Sequence, residues 1–121
     1  MKLDHIVLYV NSLKKATKFY TAFLGQPIHS SGDDVAWQIG EVKLFLAEKE
    51  SSLPSFDKKN VGLNHLALGV QSIDELRVYE KKLNIANIKH SGIQIDKYGG
   101  KEFIWFDDPD GIRLEFYLRE S

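Results

Sequence analysis

The sequence predicts an α+β fold of two paired β-α-β-β-β modules whose sheets form a curved cup. Three observations point there. Residues 3–12 (LDHIVLYVNS) return as residues 63–72 (LNHLALGVQS) at an offset of 60, with Leu, His, Leu, Val and Ser coinciding. Each copy runs into a stretch with apolar residues at three-to-four spacing, the mark of an amphipathic helix. Each helix is followed by three short apolar runs separated by turn residues. Module one is residues 1–48 and module two is residues 61–121. The stretch 49–60, with its serines, proline and charges, reads as the linker. Halves of about 60 residues bury too little surface to be comfortable alone. They are expected to pair their sheets into a single domain over residues 1–121.

The elements follow in order. In the first strand, Ile6, Leu8 and Val10 share one face, and Leu3, His5, Val7 and Tyr9 the other. The first helix carries Leu13, Ala16, Tyr20, Phe23 and Leu24, with Ser12 as cap and Gly25 as stop. Lys14 and Lys15 stand where the helix dipole favours acids, so that start is weak. Strands are expected over 27–31, 35–39 and 42–48, divided by Gly32-Asp33-Asp34 and Gly40-Glu41. Module two opens with Leu66, Leu68 and Val70 against Leu63, His65, Ala67 and Gly69. Its helix carries Ile73, Leu76, Tyr79 and Leu83 behind a capping box, Ser72-Ile73-Asp74-Glu75, in which Glu75 reaches back to the cap. Strands are expected over 87–95, 101–106 and 112–118. The closing strands align as Val42-Lys43-Leu44-Phe45-Leu46 with Ile112-Arg113-Leu114-Glu115-Phe116, at an offset of 70 because module two has longer loops. Phe45 and Glu115 are thus pseudo-symmetric partners, as His5 and His65 are.

Composition excludes several function classes. Lys plus Arg is 16 and Asp plus Glu is 17, giving a net charge of -1 and no electrostatic footprint for nucleic acid or an anionic membrane. With no cysteine, disulfides, thiolate metal sites and a Cys nucleophile drop out. No apolar run approaches the roughly 20 residues of a membrane span. Met-Lys-Leu-Asp-His places two charges where a secretory signal needs an apolar core, so a cytoplasmic location is expected.

The aliphatic faces should pack under the helices, leaving His5, His65 and Glu115 to face the cup together with Arg113 and Tyr117. Two imidazoles and a carboxylate converging there make a three-ligand divalent metal site. Such donors suit iron(II), manganese, nickel, cobalt and zinc, and three protein ligands leave positions open for water or substrate. A Glu between Leu114 and Phe116 is costly to bury unless it is paired or coordinated. His29 and His90 lack repeat support and are expected as solvated strand residues.

The chain resembles the vicinal oxygen chelate superfamily, the group of glyoxalase I, fosfomycin-resistance proteins, extradiol dioxygenases and bleomycin-resistance proteins. The resemblance rests on Leu3-Asp4-His5, Phe19-Tyr20-x-x-Phe23-Leu24-Gly25, Asn64-His65 and Asp108-Pro109-Asp110-Gly111-x-x-Leu114-Glu115, in order over the full length. It implies the glyoxalase/dioxygenase-like fold, a metal held by His5, His65 and Glu115, a small-molecule substrate bound through oxygen, and a homodimer. One position departs from the pattern. Glyoxalase I carries a fourth ligand, Glu or Gln, where this chain has Phe45, which neither ligates metal nor takes a proton. Glu48 points to the opposite face and is a poor substitute. Dioxygenase or thiol-transferase chemistry is therefore expected rather than true glyoxalase activity. A Thr typical of the fosfomycin enzymes is Val7 here, and no residue is assigned as acid or base. The alternative is a bleomycin-resistance-like protein that sequesters a small molecule in an aromatic crevice, for which Trp37, Phe45, Phe103 and Trp105 are candidate walls. A metal site without catalytic use is a third reading. Val7, Phe45, Phe103, Trp105 and Tyr117 are the candidate substrate contacts. The loop Lys97-Tyr98-Gly99-Gly100-Lys101 is either a mobile lid at the rim or an ordinary hairpin loop.

Overall fold

The computed structural model describes residues 1–49 and 56–119. The chain divides into two units, Met1–Ser55 and Phe56–Ser121. Of the expected linker, residues 50–55 lie outside the described residues, and 56–60 belong to the second unit.

The first unit runs β1 (His5–Val10), α1 (Leu13–Leu24), β2 (His29–Ser30), β3 (Asp34–Ile39) and β4 (Val42–Glu48). Its sheet has the order β1-β4-β3-β2, with β1 parallel to β4 and the other pairs antiparallel. Helix α1 buries Leu13, Ala16, Tyr20 and Phe23, the face predicted by their spacing. Burying a large apolar side chain of this kind stabilises by about 1.5–3 kcal/mol. The Ser12 hydroxyl accepts from the Lys15 amide at 3.2 Å. No acid occupies the first turn. That role falls to Glu48 at the end of β4, whose carboxylate accepts from the Leu13 amide at 3.0 Å. Glu48 thus lies on the helix side of the sheet, as strand alternation requires. The helix stops at Gly25, whose φ of 78° is open to glycine. The strand expected over 27–31 narrows to His29–Ser30, flanked by the Ile28 amide bond to the Ala36 carbonyl.

The second unit runs β5 (His65–Val70), α2 (Ile73–Ile85), β6 (Gln94–Ile95), β7 (Glu102–Asp107) and β8 (Arg113–Leu118), in sheet order β5-β8-β7-β6. Its core gathers Leu76, Leu83, Ile104, Phe106, Leu114 and Phe116, all fully or almost fully buried. The Ser72 hydroxyl accepts from the Glu75 amide at 3.1 Å. The Glu75 carboxylate reaches one residue past the cap, accepting from the Gln71 amide at 2.8 Å.

The long strand expected over 87–95 is not formed. The apolar alternation there is overridden by a helix stop of the Schellman type. Asn87 takes φ 56°, the Ile88 amide donates to the Leu83 carbonyl, and the Asn87 amide donates to the Asn84 carbonyl. What remains is the short β6 and one bridge between His90 and Phe106. No helix among the described residues is long and apolar enough to cross a membrane.

The two units share one register. His5 lies opposite Lys43 and Val7 opposite Phe45; His65 lies opposite Arg113 and Ala67 opposite Glu115. The offsets of 60 and 70 seen in the sequence are therefore structural equivalences.

Candidate metal and ligand site

The Asp-Pro-Asp-Gly turn sets the register that presents Glu115. The buried Asp108 carboxylate accepts from the Asp110 amide at 2.8 Å and the Ile112 amide at 2.9 Å. The Gly111 amide donates to the Asp108 carbonyl at 3.0 Å, with φ 85° at the glycine. β8 leaves this turn with Leu114 and Phe116 buried under α2 and Arg113, Glu115 and Tyr117 on the opposite face. Antiparallel pairing adds Asp107, Trp105 and Phe103 beside those three.

His65 and Glu115 meet on this face, with Nε2 and Oε1 separated by 3.6 Å. The His65 Nδ1–H donates to Asn64 Oδ1 at 2.7 Å. The Asn64 amide is held in that orientation by donating from Nδ2 to the Lys58 carbonyl at 3.2 Å. This fixes the tautomer and turns the Nε2 lone pair toward Glu115. The Glu115 side chain is 14% exposed. Burial pushes its carboxyl above the ordinary carboxylate range, while the charges of His65 and Arg113 pull the other way.

His5 occupies the equivalent position in the first unit. Its Nδ1–H donates to Asp4 Oδ2 at 2.7 Å, and that hydrogen bond holds the Asp4 carboxyl below its usual value. Where His65 has Glu115, His5 has the Phe45 ring, edge-on with centroids 5.7 Å apart.

These donors fit a divalent ion. A ligating imidazole characteristically gives its other N–H to a carboxylate or carbonyl oxygen, as both histidines do here. Two donor atoms each about 2.1 Å from a shared ion lie roughly 3–3.5 Å apart, close to the His65–Glu115 separation. Of the three predicted ligands, His65 and Glu115 are brought together within the second unit, and His5 stands at the matching register of the first. No cluster of three or more metal-binding side chains is gathered among the described residues.

A cavity of about 340 Å³ in the second unit adjoins the pair, lined by His65, Ala67 and Glu115 at one side and Phe103 and Tyr117 at another. Asp96 and Tyr98 complete the lining. Tyr117 donates to Asp96 Oδ2 at 2.5 Å, and that bond lowers the Asp96 carboxyl. Asp96 carries no periodic signal in the sequence, because it enters from the turn after β6 rather than from a strand. The loop around Tyr98 is a closed hairpin: the Asp96 amide donates to the Lys101 carbonyl at 2.8 Å and the Gly100 amide to the Asp96 carbonyl at 2.7 Å.

Of the candidate substrate contacts, Phe103 and Tyr117 line this cavity. Trp105 lies on the same face, 37% exposed, under the Arg113 guanidinium at 4.1 Å. Val7 and Phe45 sit side by side on the first unit's sheet. Trp37 is not a crevice wall. It is 1% exposed in the core, its indole N–H donating to the Gly25 carbonyl at 2.9 Å. His29 is exposed on β2 and pairs with Asp34 at 2.8 Å. His90 lies outside any strand and bonds to Asn84 at 2.6 Å.

Two four-stranded mixed sheets, each with one helix, define an α+β fold of the glyoxalase/dioxygenase type. The Glyoxalase/Bleomycin resistance protein/Dioxygenase superfamily matches residues 2–116, and the chain belongs to it. YaeR of Escherichia coli K12 is 43% identical over 56 residues, which span 46% of this chain and 41% of that relative. The metallothiol transferase FosB of Lysinibacillus sphaericus is 24% identical over 115 residues, covering 95% of this chain and 80% of FosB. A solved glyoxylase/bleomycin resistance protein/dioxygenase domain from Frankia sp. superposes with a TM-score of 0.81 at 24% identity, covering 99% of this chain and 98% of that one.

Proposed function

We propose that this chain is a metalloprotein in which His5, His65 and Glu115 hold one divalent ion, iron, manganese, nickel, cobalt or zinc, and bind and activate a small oxygen-bearing substrate. One observation carries the proposal: two register-equivalent imidazoles, each anchored through Nδ1 by the preceding residue, with a largely buried carboxylate beside one of them. Membership of the superfamily and similarity to a metallothiol transferase support it.

When bound, the ion polarises a substrate oxygen and leaves coordination positions free. The chain's own residues do the rest. Asp4 and Asn64 hold the imidazoles in the ligating tautomer. Phe103 and Tyr117 wall the space beside Glu115, with Val7, Phe45 and Trp105 as further contacts. Phe45 withholds the base that proton transfer between adjacent carbons requires, so the chemistry is of the dioxygenase or thiol-transferase type. A homodimer and a cytoplasmic location belong to the same proposal.

The aromatic lining of the second unit's cavity also favours a second reading, ligand sequestration without catalysis. Elemental analysis of tag-free protein separates the two. About one divalent ion per chain, lost in Glu115→Ala, is expected; ligand binding by a metal-free chain that never takes up metal would favour sequestration. A metal-dependent glyoxalase rate on the methylglyoxal–glutathione hemithioacetal would overturn the role given to Phe45.

A further inference from the structure

The two sheets differ at a second pair of equivalent positions. At the end of β4, the Lys49 amide donates to the Val10 carbonyl at 2.9 Å, and the Lys49 ammonium lies 5.1 Å over the Tyr9 ring. At the end of β8, the Arg119 amide donates to the Val70 carbonyl at the same distance. Arg119 is therefore the equivalent of Lys49, and Gly69 the equivalent of Tyr9. No ring stands at Gly69. A Cβ placed there would overlap Arg119 Cδ and Cγ, so the glycine is what allows the arginine stem to lie on the sheet.

This stem lies on the face that carries the candidate site. By strand alternation Gly69 shares the face of His65 and Ala67, and its register partner is Tyr117, which lines the cavity. Among the described residues the Arg119 guanidinium has no hydrogen-bond or ion-pair partner. The neighbouring Arg113 differs: it donates to Asp107 at 2.7 Å and stacks on Trp105. Among the described residues the cavity lining holds two carboxylates, Asp96 and Glu115, and no Lys or Arg. Lys97 is turned to the Tyr98 ring, 5.2 Å from its centroid. Among the described residues Arg119 is thus one of two cations at this end of the face with no side-chain partner, the other being Lys101, and it is the one whose stem is laid over Gly69.

We propose that Arg119, laid over Gly69, is a specificity-determining residue that receives a carboxylate of the substrate. A guanidinium fork matches a carboxylate in two parallel hydrogen bonds. Four residues of strand, roughly 13 Å, separate Glu115 from Arg119, and Tyr117 lies between them. The ligand class is a small molecule with its chelating oxygens at one end, a flat apolar body against Tyr117, and a carboxylate at the other. The proposal rests on the metal-site reading for the chelating end only.

The test compares 3,4-dihydroxybenzoate with its methyl ester, two probes that differ in the negative charge, by equilibrium titration with and without manganese(II). The wild type should prefer the acid by about tenfold, the scale of one charge-assisted pair near a surface. Arg119→Ala should erase that preference, and Arg119→Lys should keep part of it. Gly69→Ala should reduce it while leaving the arginine in place. A preference unchanged in Arg119→Ala, or absent from the wild type, overturns the proposal. Manganese adding nothing to either probe, with the preference intact, would instead count against the metal site.

Discussion

The two units fold by one plan and present two different surfaces. Their buried faces match: Leu8 and Val10 with Leu44 and Leu46 in the first, Val70 with Leu114 and Phe116 in the second. Their open faces do not. Where the first unit has Asp4, Phe45, Tyr9 and Lys49, the second has Asn64, Glu115, Gly69 and Arg119. The first face pairs a histidine with a phenyl ring and a lysine with a tyrosine ring. The second pairs its histidine with a carboxylate beside a cavity. A duplicated sheet can diverge on its open face because strand alternation separates that face from the packing that holds the fold.

The largest effect should come from removing a residue of the buried plan. Trp37→Ala in the first unit is expected to cost about 3–5 kcal/mol. Trp105→Ala, on the open face of the second, should cost less than half of that. Urea denaturation of both variants checks this, and equal losses would dissolve the distinction between the faces.

Asn64→Ala sharpens the comparison at the site. It removes the acceptor that orients His65 and should weaken manganese(II) binding about 10–100-fold, as losses of such outer partners do. Isothermal titration reads it; unchanged affinity would mean the Asn64 bond does not set the ring.

Glu115 is expected to weaken the metal-free fold. Its folded-state carboxyl titrates above the ordinary range because burial disfavours the charge. In acid, where the group is protonated folded and unfolded alike, there is no penalty. The penalty grows as pH rises from the ordinary carboxylate value through the raised one, and is complete above it. Glu115→Gln should therefore raise the metal-free Tm at neutral pH by about 2–5 °C, with the gain vanishing near pH 4. A gain that persists in acid would assign it to packing.

The smallest effect is a gain. Phe45→Glu places a carboxylate beside His5 at the position equivalent to Glu115. It should give a slow, nickel-dependent isomerisation of the methylglyoxal–glutathione hemithioacetal, a reaction the natural chain is expected not to catalyse. A rate in the natural chain, or none in the variant, would break the symmetry argument.

The repeat made both sheets and both helices legible, since period-two and three-to-four patterns report burial directly. It also aligned His5 with His65 and Phe45 with Glu115. The misses have local causes. The residues after α2 alternate like a strand, but Asn87 in the left-handed region ends the helix and consumes them. Aromatic content alone does not say whether a strand tryptophan faces core or solvent, and Trp37 faces core. Asp96 reaches the cavity through a hairpin, and Glu48 caps a helix thirty-five residues earlier. Contacts of that kind follow from the fold and leave no spacing in the chain.

A single ion held by ligands from both units is what the proposed metal site requires. Manganese(II) titration of the wild type, His5→Ala and His65→Ala tests that requirement. The wild type should bind about one ion per chain, and each single variant should lose most of the affinity. Full-affinity binding that survives in His5→Ala would contradict the shared site and leave His65 and Glu115 as a site of the second unit alone.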